Sequence, residues 1–280
     1  MSYHAKSFAD CFSKDAWHEL HALVCAILEI SALDLHKNPD QILSAEQAIR
    51  LHAAAKKRLA GWPLSRIVGW VWFCDGKIMV NKHVLVPRHE TEFWLGEWIS
   101  KFNGDRNLKW ILDLGTGSGA MAIALAKKFP HVPIYASDVS EKALKLAREN
   151  AQKNAVGERI DFFQSDLFGD VRGEFIGINP GIIFSNLPYI PTAVISTLDR
   201  EVRNHDPLLA LDGGPDGLDV VRRFFTEASF LPTGTRVVLE LGIHQVEQMR
   251  PETCWQTDWQ WRQVLTDLQG SERAVEWVKR

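Results

Sequence analysis

Two short stretches hold the residues best suited to chemistry. In DLGTGSGA, Asp113 to Ala120, glycines at 115, 117 and 119 alternate with Thr116 and Ser118 behind a leading acid. Glycines let a backbone approach a ligand closely and take dihedrals closed to other residues. Two ligand chemistries fit the spacing. Gly115, Gly117 and Ala120 satisfy the G-x-G-x-x-G/A dinucleotide fingerprint, with Asp138 about 20 residues on. The rival is an S-adenosylmethionine loop of the D/E-x-G-x-G-x-G type led by Asp113. There Asp138 takes the ribose hydroxyls and Asp166 lies beside the adenine. The Asp113 and Gly119 spacing fits this second pattern better.

The other stretch is FSNLPYIP, Phe184 to Pro191, in which an apolar run ends in Asn186-Leu187-Pro188-Tyr189. A nucleotide reductase has no need of this motif after its fourth strand. An enzyme that methylates a planar amino group does, because a delocalised nitrogen lone pair is a poor nucleophile. Two acceptors aimed at its N–H groups hold the nitrogen towards a sulfonium methyl and favour the transition state as positive charge grows there. The Asn186 side-chain oxygen supplies one acceptor. The Leu187 carbonyl supplies the second, since Pro188 biases residue 187 towards extended geometry. Tyr189 can stack on the flat substrate group.

Both stretches demand elements that bring them to one edge. From Trp110 the pattern alternates strand and helix: WILDLG, a helix from about Gly119 to Lys128, PIYASD, a helix capped by Ser140, then RIDFFQSD, GIIFSN, a helix over 218–229 and RVVLELG. Such alternation predicts a mostly parallel sheet with helices on both faces. WRQVLTDL and AVEWVKR close it as an antiparallel pair. Ligands of such sheets bind beyond the carboxyl ends of the strands.

The first ~60 residues read as helices. Ser13 or Asp15 caps a segment with Trp17, Leu20, Val24, Ile27 and Leu28 at helical spacing. Ser44 and Gln47 form a capping box before a helix carrying Ile49, Ala53 and Leu59, which Gly61 stops. His18 and His21 in HELH lack the H-E-x-x-H spacing of a zinc site. Two β-rich runs flanking Asp75-Gly76 predict a hairpin.

The chain has 280 residues with 46% apolar and 24% charged content, ordinary values for a globular protein. Its net charge of −3 argues against a surface built on nucleic-acid phosphates. Cys11, Cys25, Cys74 and Cys254 form no C-x-x-C pair, which suggests neither disulfides nor zinc and fits a reducing compartment. No signal pattern opens the chain and LHALVCAILEI is too short to span a bilayer, so a soluble cytoplasmic protein is expected.

The sequence resembles the HemK/PrmC glutamine methyltransferases, which methylate the Gly-Gly-Gln glutamine of peptide chain release factors. The likeness rests on RLAGWPLSRIVGWVWF, VLVPRHETE, ILDLGTGSGAMAIALA, ASDVSEKALKLARENA, SNLPYIP, DPLLALDGGPDGLD and DLQGSERAV. It implies a helical N-terminal substrate-docking domain over 1–66, a β-hairpin linker over 67–88 and a seven-stranded Rossmann-like methyltransferase domain over 89–280. It also implies that Gly115 to Gly119, Asp138 and the Asp166-Leu167 pair hold S-adenosylmethionine, and that Asn186 to Tyr189 hold the glutamine. The expected partner is a release factor, with no metal, membrane or stable nucleic-acid partner. Two positions depart from the family: Asn-Leu-Pro-Tyr replaces Asn-Pro-Pro-Tyr, and Asp206-Pro207 replaces Glu-Pro. The first is also the pattern of ribosomal RNA adenine dimethylases. Glutamine methylation of a ribosomal protein and amino-group methylation of adenine in RNA or DNA are the alternative activities.

Overall fold

Strands that read as unbroken apolar runs must be covered on both faces, and two strands here, Trp110–Leu114 and Gly181–Ser185, are buried at every position. A computed structural model describes residues 16–37, 42–102, 108–169, 181–250 and 258–280. The chain divides into two units, Met1–Trp70 with Asp199–His205, and Val71–Leu198 with Asp206–Arg280. The expected caps Ser13 and Asp15, together with Cys11 and Cys254, lie outside the described residues.

The first unit contains α1 (Ala16–Leu28), α2 (Ala32–Lys37), α3 (Ala45–Leu59) and α4 (Leu64–Val68). The capping box of α3 is present: Gln47 N donates to Ser44 Oγ at 3.1 Å and Ser44 N to Gln47 Oε1 at 2.9 Å. Its buried face differs from the expected one. Leu51 and Ala54 pack with Leu23, Ile27 and α4, while Ile49 and Leu59 are 69% and 63% exposed. Ile49 lies two residues, about 200°, around the helix from Leu51, so both cannot face the same neighbours. Arg58 pairs with Glu19 at 2.7 Å and with Glu201 of the helical turn Arg200–His205.

The second unit opens with the expected hairpin, β1 (Trp70–Phe73) and β2 (Gly76–Met79). The turn sits one residue early. Cys74 takes the left-handed conformation at φ 49°, while Gly76 is already in the strand. A Cβ on Gly76 would come within 3.2 Å of Asn154 Oδ1, so that glycine serves a close approach instead.

The main sheet is formed by β3 (Trp110–Leu114), β4 (Ile134–Asp138), β5 (Ile160–Gln164), β6 (Gly181–Ser185), β7 (Arg236–Glu240), β8 (Trp259–Thr266) and β9 (Glu272–Lys279). Their order is β5-β4-β3-β6-β7-β9-β8, with β9 antiparallel to both neighbours and the rest parallel. This is the mostly parallel sheet with an antiparallel pair at its end expected from the alternating pattern, and the seven-stranded, Rossmann-like sheet that the resemblance implies. Its helices are α5 (His89–Lys101), α6 (Ala120–Lys128), α7 (Glu141–Lys153), α8 (Asp219–Glu227) and α9 (Ile243–Gln248). Alternate strand residues feed two cores. Ile111 and Phe184 join Trp94, Trp98 and α6 on one face, and Leu112 and Ile183 join Phe224 and Trp277 on the other. The tryptophans at 94, 98, 110 and 277 supply the largest buried side chains.

Register decides where the chemistry collects. Leu114 of β3 pairs with Ser137 of β4 and with Ser185 of β6, and Ser185 pairs with Leu239 of β7. One step further along each strand stand Asp138, Gly115, Asn186 and Glu240, a row along the carboxyl edge of the sheet. The strand order reverses between β3 and β6, which puts Gly115 and Asn186 at the switch point where such sheets bind ligands.

Candidate active site

A cavity of about 720 Å³ opens at that edge. Its lining brings Gly115, Thr116, Gly117 and Ser118 together with Asp138, Asp166 and Leu167, and with Asn186, Leu187 and Pro188. Ten of the expected site residues therefore meet in one space. Asp113, Gly119 and Tyr189 do not line it, and each has a different place.

Asp113 is buried beneath the loop. Its Oδ2 accepts from Thr116 Oγ1 at 2.6 Å and from Ala122 N at 2.9 Å, so it fixes the shape of the loop and the first turn of α6. Its Oδ1 is buried and has no hydrogen-bond partner among the described residues. Burial pushes the Asp113 carboxyl up to about 7, against the two hydrogen bonds that favour its ionised form. Gly119, at φ 83°, answers to packing: a Cβ would meet Ala147 Cβ of α7 at 3.1 Å. Gly117, at φ 55°, has nothing within 4 Å of a Cβ position and faces open space.

Asp138 holds the loop from the neighbouring strand. Its Oδ2 accepts from Gly117 N at 2.9 Å and its Oδ1 from Ser140 N at 2.8 Å. Burial raises its carboxyl above the ordinary range, opposed by these two bonds. Each carboxylate oxygen retains a lone pair for another donor. Asp166 pairs with Arg223 at 2.9 Å, and Leu167 beside it sits at φ 49°. A left-handed leucine is strained, and such strain collects at ligand sites.

The Asn-Leu-Pro-Tyr segment is held by groups that its sequence does not reveal. Asn186 Nδ2 donates to Thr91 Oγ1 of α5 at 3.3 Å. Thr91 Oγ1 donates to Glu240 Oε2 at 2.5 Å, and Trp94 Nε1, one turn along α5, donates to the same oxygen at 2.7 Å. Tyr189 Oη donates to Glu240 Oε1 at 3.1 Å. Glu240 is 2% exposed; desolvation raises its carboxyl and these three donors oppose the rise. The Tyr189 hydroxyl is pushed up by burial and by the adjacent carboxylate. Leu187 is buried, its Cδ2 3.6 Å from the Cβ position of Gly115.

The backbone of the segment is clamped as well. Ile190 N donates to Leu211 O and Gly213 N to Ile190 O, both at 2.9 Å, and Gln245 Nε2 of α9 donates to Tyr189 O at 2.8 Å. A Cβ on Gly217, which stands at φ 81°, would overlap Tyr189 O. Asp206, one of the two family departures, is buried and paired with Arg88 at 2.6 Å. Arg88 and Pro207 line the cavity. Thr91, Glu240, Gln245 and Gly217 were not singled out from the sequence. They lie in separate segments; the register of β6 against β7 sets Glu240 beside Asn186, and α5, the loop at Gly217 and α9 bring the others.

A glycine loop after β3, an acid ending β4 and a polar motif after β6, all facing one cavity, define an S-adenosylmethionine-dependent methyltransferase of the Rossmann-like class. The cavity suits that donor, because Gly117 leaves the loop backbone open to it and Asp138 keeps lone pairs for hydroxyl donors. Family models agree in both parts of the chain: "Methyltransferase small domain" matches residues 99–188 and "PrmC N-terminal domain" matches residues 4–69. The release factor glutamine methyltransferase of Geobacter sulfurreducens is 36% identical over 82% of this chain and 78% of its own length. That of Bacillus cereus is 30% identical over 98% of this chain and 97% of its own length. The chain belongs to the release factor glutamine methyltransferase family. Among solved structures, a methyltransferase from Pyrococcus furiosus shares the fold at 18% identity with a TM-score of 0.50, covering 84% of this chain and 99% of that one. Among the described residues, no helix is long and apolar enough to cross a membrane.

Proposed function

We propose that this enzyme transfers a methyl group from S-adenosylmethionine to the side-chain amide nitrogen of a glutamine in a peptide chain release factor. The observation that supports the reading is that Asn186 and Leu187 line the same cavity as the glycine loop and Asp138. Family membership supports the same substrate. The donor supplies an electrophilic methyl group on a sulfonium. The chain supplies position and acceptors: Asp138 receives ribose hydroxyls, Asp166 and Leu167 flank the adenine, and residues 115–118 take the remainder of the donor.

The target amide enters from the opposite side, where Asn186 Oδ1 and the Leu187 carbonyl accept its two N–H bonds. Held so, the nitrogen faces the methyl group, and both acceptors strengthen as positive charge grows on it. With the donor bound, transfer to this nitrogen would leave the donor sulfur as a neutral thioether, and the proton displaced from the nitrogen would pass to water. Pro188 keeps residue 187 extended, and Tyr189 anchors the segment from behind through Glu240.

The first unit, corresponding to the helical docking domain of residues 1–66, serves the protein substrate rather than the donor, since every residue lining the cavity belongs to the second unit. A cytoplasmic location follows from that substrate. The test is transfer of radiolabelled methyl groups to purified release factor, with a substrate glutamine-to-alanine variant as control. Asn186→Ala should lower kcat by roughly 5- to 150-fold, the range expected for one unpaired N–H, with donor affinity nearly unchanged. Label appearing on RNA and absent from release factor overturns the substrate assignment.

A further inference from the structure

We propose that Glu240 and Thr91 are positioning residues for the transfer, a relay that fixes which end of the Asn186 amide faces the substrate. This rests on the reading of Asn186 as the acceptor for the target amide.

An asparagine side chain has an acceptor end and a donor end of nearly equal shape, and only one orientation can receive an N–H. If Asn186 turned over, its own N–H groups would oppose those of the substrate. Something must choose, and the hydrogen-bond directions around Glu240 make the choice. Trp94 Nε1 can only donate, and it points at Glu240 Oε2 from 2.7 Å. That oxygen is therefore an acceptor, so Thr91 Oγ1, 2.5 Å away, gives it the hydroxyl proton. With its proton committed, Thr91 Oγ1 can only accept at its other contact. Asn186 stands at that contact, 3.3 Å away, and must present Nδ2. Oδ1 is then the end left for the substrate.

The same carboxylate also anchors Tyr189, at the end of the motif. Its Oε1 accepts from Tyr189 Oη at 3.1 Å, and Gln245 Nε2 fixes the Tyr189 carbonyl at 2.8 Å. Burial gives the arrangement its rigidity: Thr91, Trp94 and Glu240 are each at most 5% exposed. In such a site water does not replace a lost partner, so directions persist. The geometry of the carbon skeleton is equally constrained. Thr91 and Trp94 lie three apart on α5 and share a face, while Glu240 and Asn186 stand side by side at the ends of paired strands.

The experiment compares Thr91→Val, Thr91→Ser, Asn186→Ala and the Thr91→Val/Asn186→Ala double variant in labelled methyl transfer to a purified release factor, with donor affinity by calorimetry. Valine keeps the shape of threonine and removes the relay. Thr91→Val should lower kcat about 5- to 30-fold with KM for the release factor and donor affinity little changed. Thr91→Ser, which keeps the hydroxyl, should recover most of that loss. In the Asn186→Ala background, Thr91→Val should add no more than about 2-fold, because the group it orients is gone. An unchanged kcat in Thr91→Val, beside a large loss in Asn186→Ala, overturns the relay and leaves the acceptor reading standing. An equal Thr91→Val effect in both backgrounds also overturns it, as a purely structural role would give. No loss from Asn186→Ala removes the acceptor reading itself.

Discussion

Leu187 shows how one residue can serve two purposes at once. Its carbonyl is the proposed second acceptor, while its side chain fills space between β3 and the glycine loop, buried with Leu114 and Leu218. The family's proline would keep the carbonyl and suit the extended backbone before Pro188, but it is a smaller apolar body. Leu187→Pro should therefore separate stability from transfer. Trimming a buried leucine costs about 1–3 kcal/mol, offset in part by the roughly 0.4–1 kcal/mol that proline removes from the unfolded chain. A Tm lower by up to about 10 °C follows, at about 2–4 °C per kcal/mol for a unit of this size. Transfer per folded molecule should fall less than in Asn186→Ala. Differential scanning calorimetry beside labelled transfer reads both quantities, and a kcat as low as that of Asn186→Ala with an unchanged Tm would contradict the division.

At the scale of elements, the loop over 213–217 matters because it is packed backbone to backbone against the motif after β6. Gly217 stands at φ 81° with its Cα against Tyr189 O, and Gly213 lies against Pro188 O at 2.8 Å from its Cβ position. Gly217→Ala adds strain from the left-handed backbone, about 1–3 kcal/mol, and pushes Tyr189 from the Glu240 carboxylate. Its expected signature is a fall in kcat with donor affinity preserved, since the glycine loop after β3 is untouched; loss of donor binding instead would place this loop in the donor subsite. These elements also show what sequence can reveal. The alternation of apolar strands with capped helices made the sheet legible, because parallel strands buried on both faces must be apolar throughout. The glycine loop was legible because unusual backbone demands glycine. The partners of Asn186 were not, since Thr91 lies 95 residues before it and Glu240 lies 54 residues after it. A buried glutamate at the end of an apolar strand, in RVVLELG, was the one available signal. Within α3, the apolar residues Ile49, Ala53 and Leu59 suggested a face that packing did not use, because Leu51 and Ala54 meet the neighbouring helices instead.

For the whole molecule, the two units divide the work along an uneven cut. The cavity and the relay belong to the second unit, yet the first unit takes in residues 199–205, which lie between the Asn-Leu-Pro-Tyr motif and the loop that clamps it. Arg58 of α3 pairs there with Glu201, and Trp62 stacks against His205 with ring centroids 4.6 Å apart. Hydrogen bonds donated to Glu19 and Glu201 hold the Arg58 guanidinium well above its usual range, so it stays charged at any working pH. A protein substrate needs a docking surface of several hundred Å² per partner, far beyond what a cavity for one side chain offers. Removing residues 1–69 should accordingly leave S-adenosylmethionine binding within about 3-fold of the full chain, because no lining residue is lost, while kcat/KM for release factor falls by more than about 10-fold. The loss should appear mainly in KM if the first unit only docks the substrate. It should appear in kcat as well if the first unit also assists the transfer step. Calorimetry with the donor and steady-state labelled transfer together separate these cases, and a truncated enzyme that methylates release factor at the full-length rate would remove the docking role from the first unit.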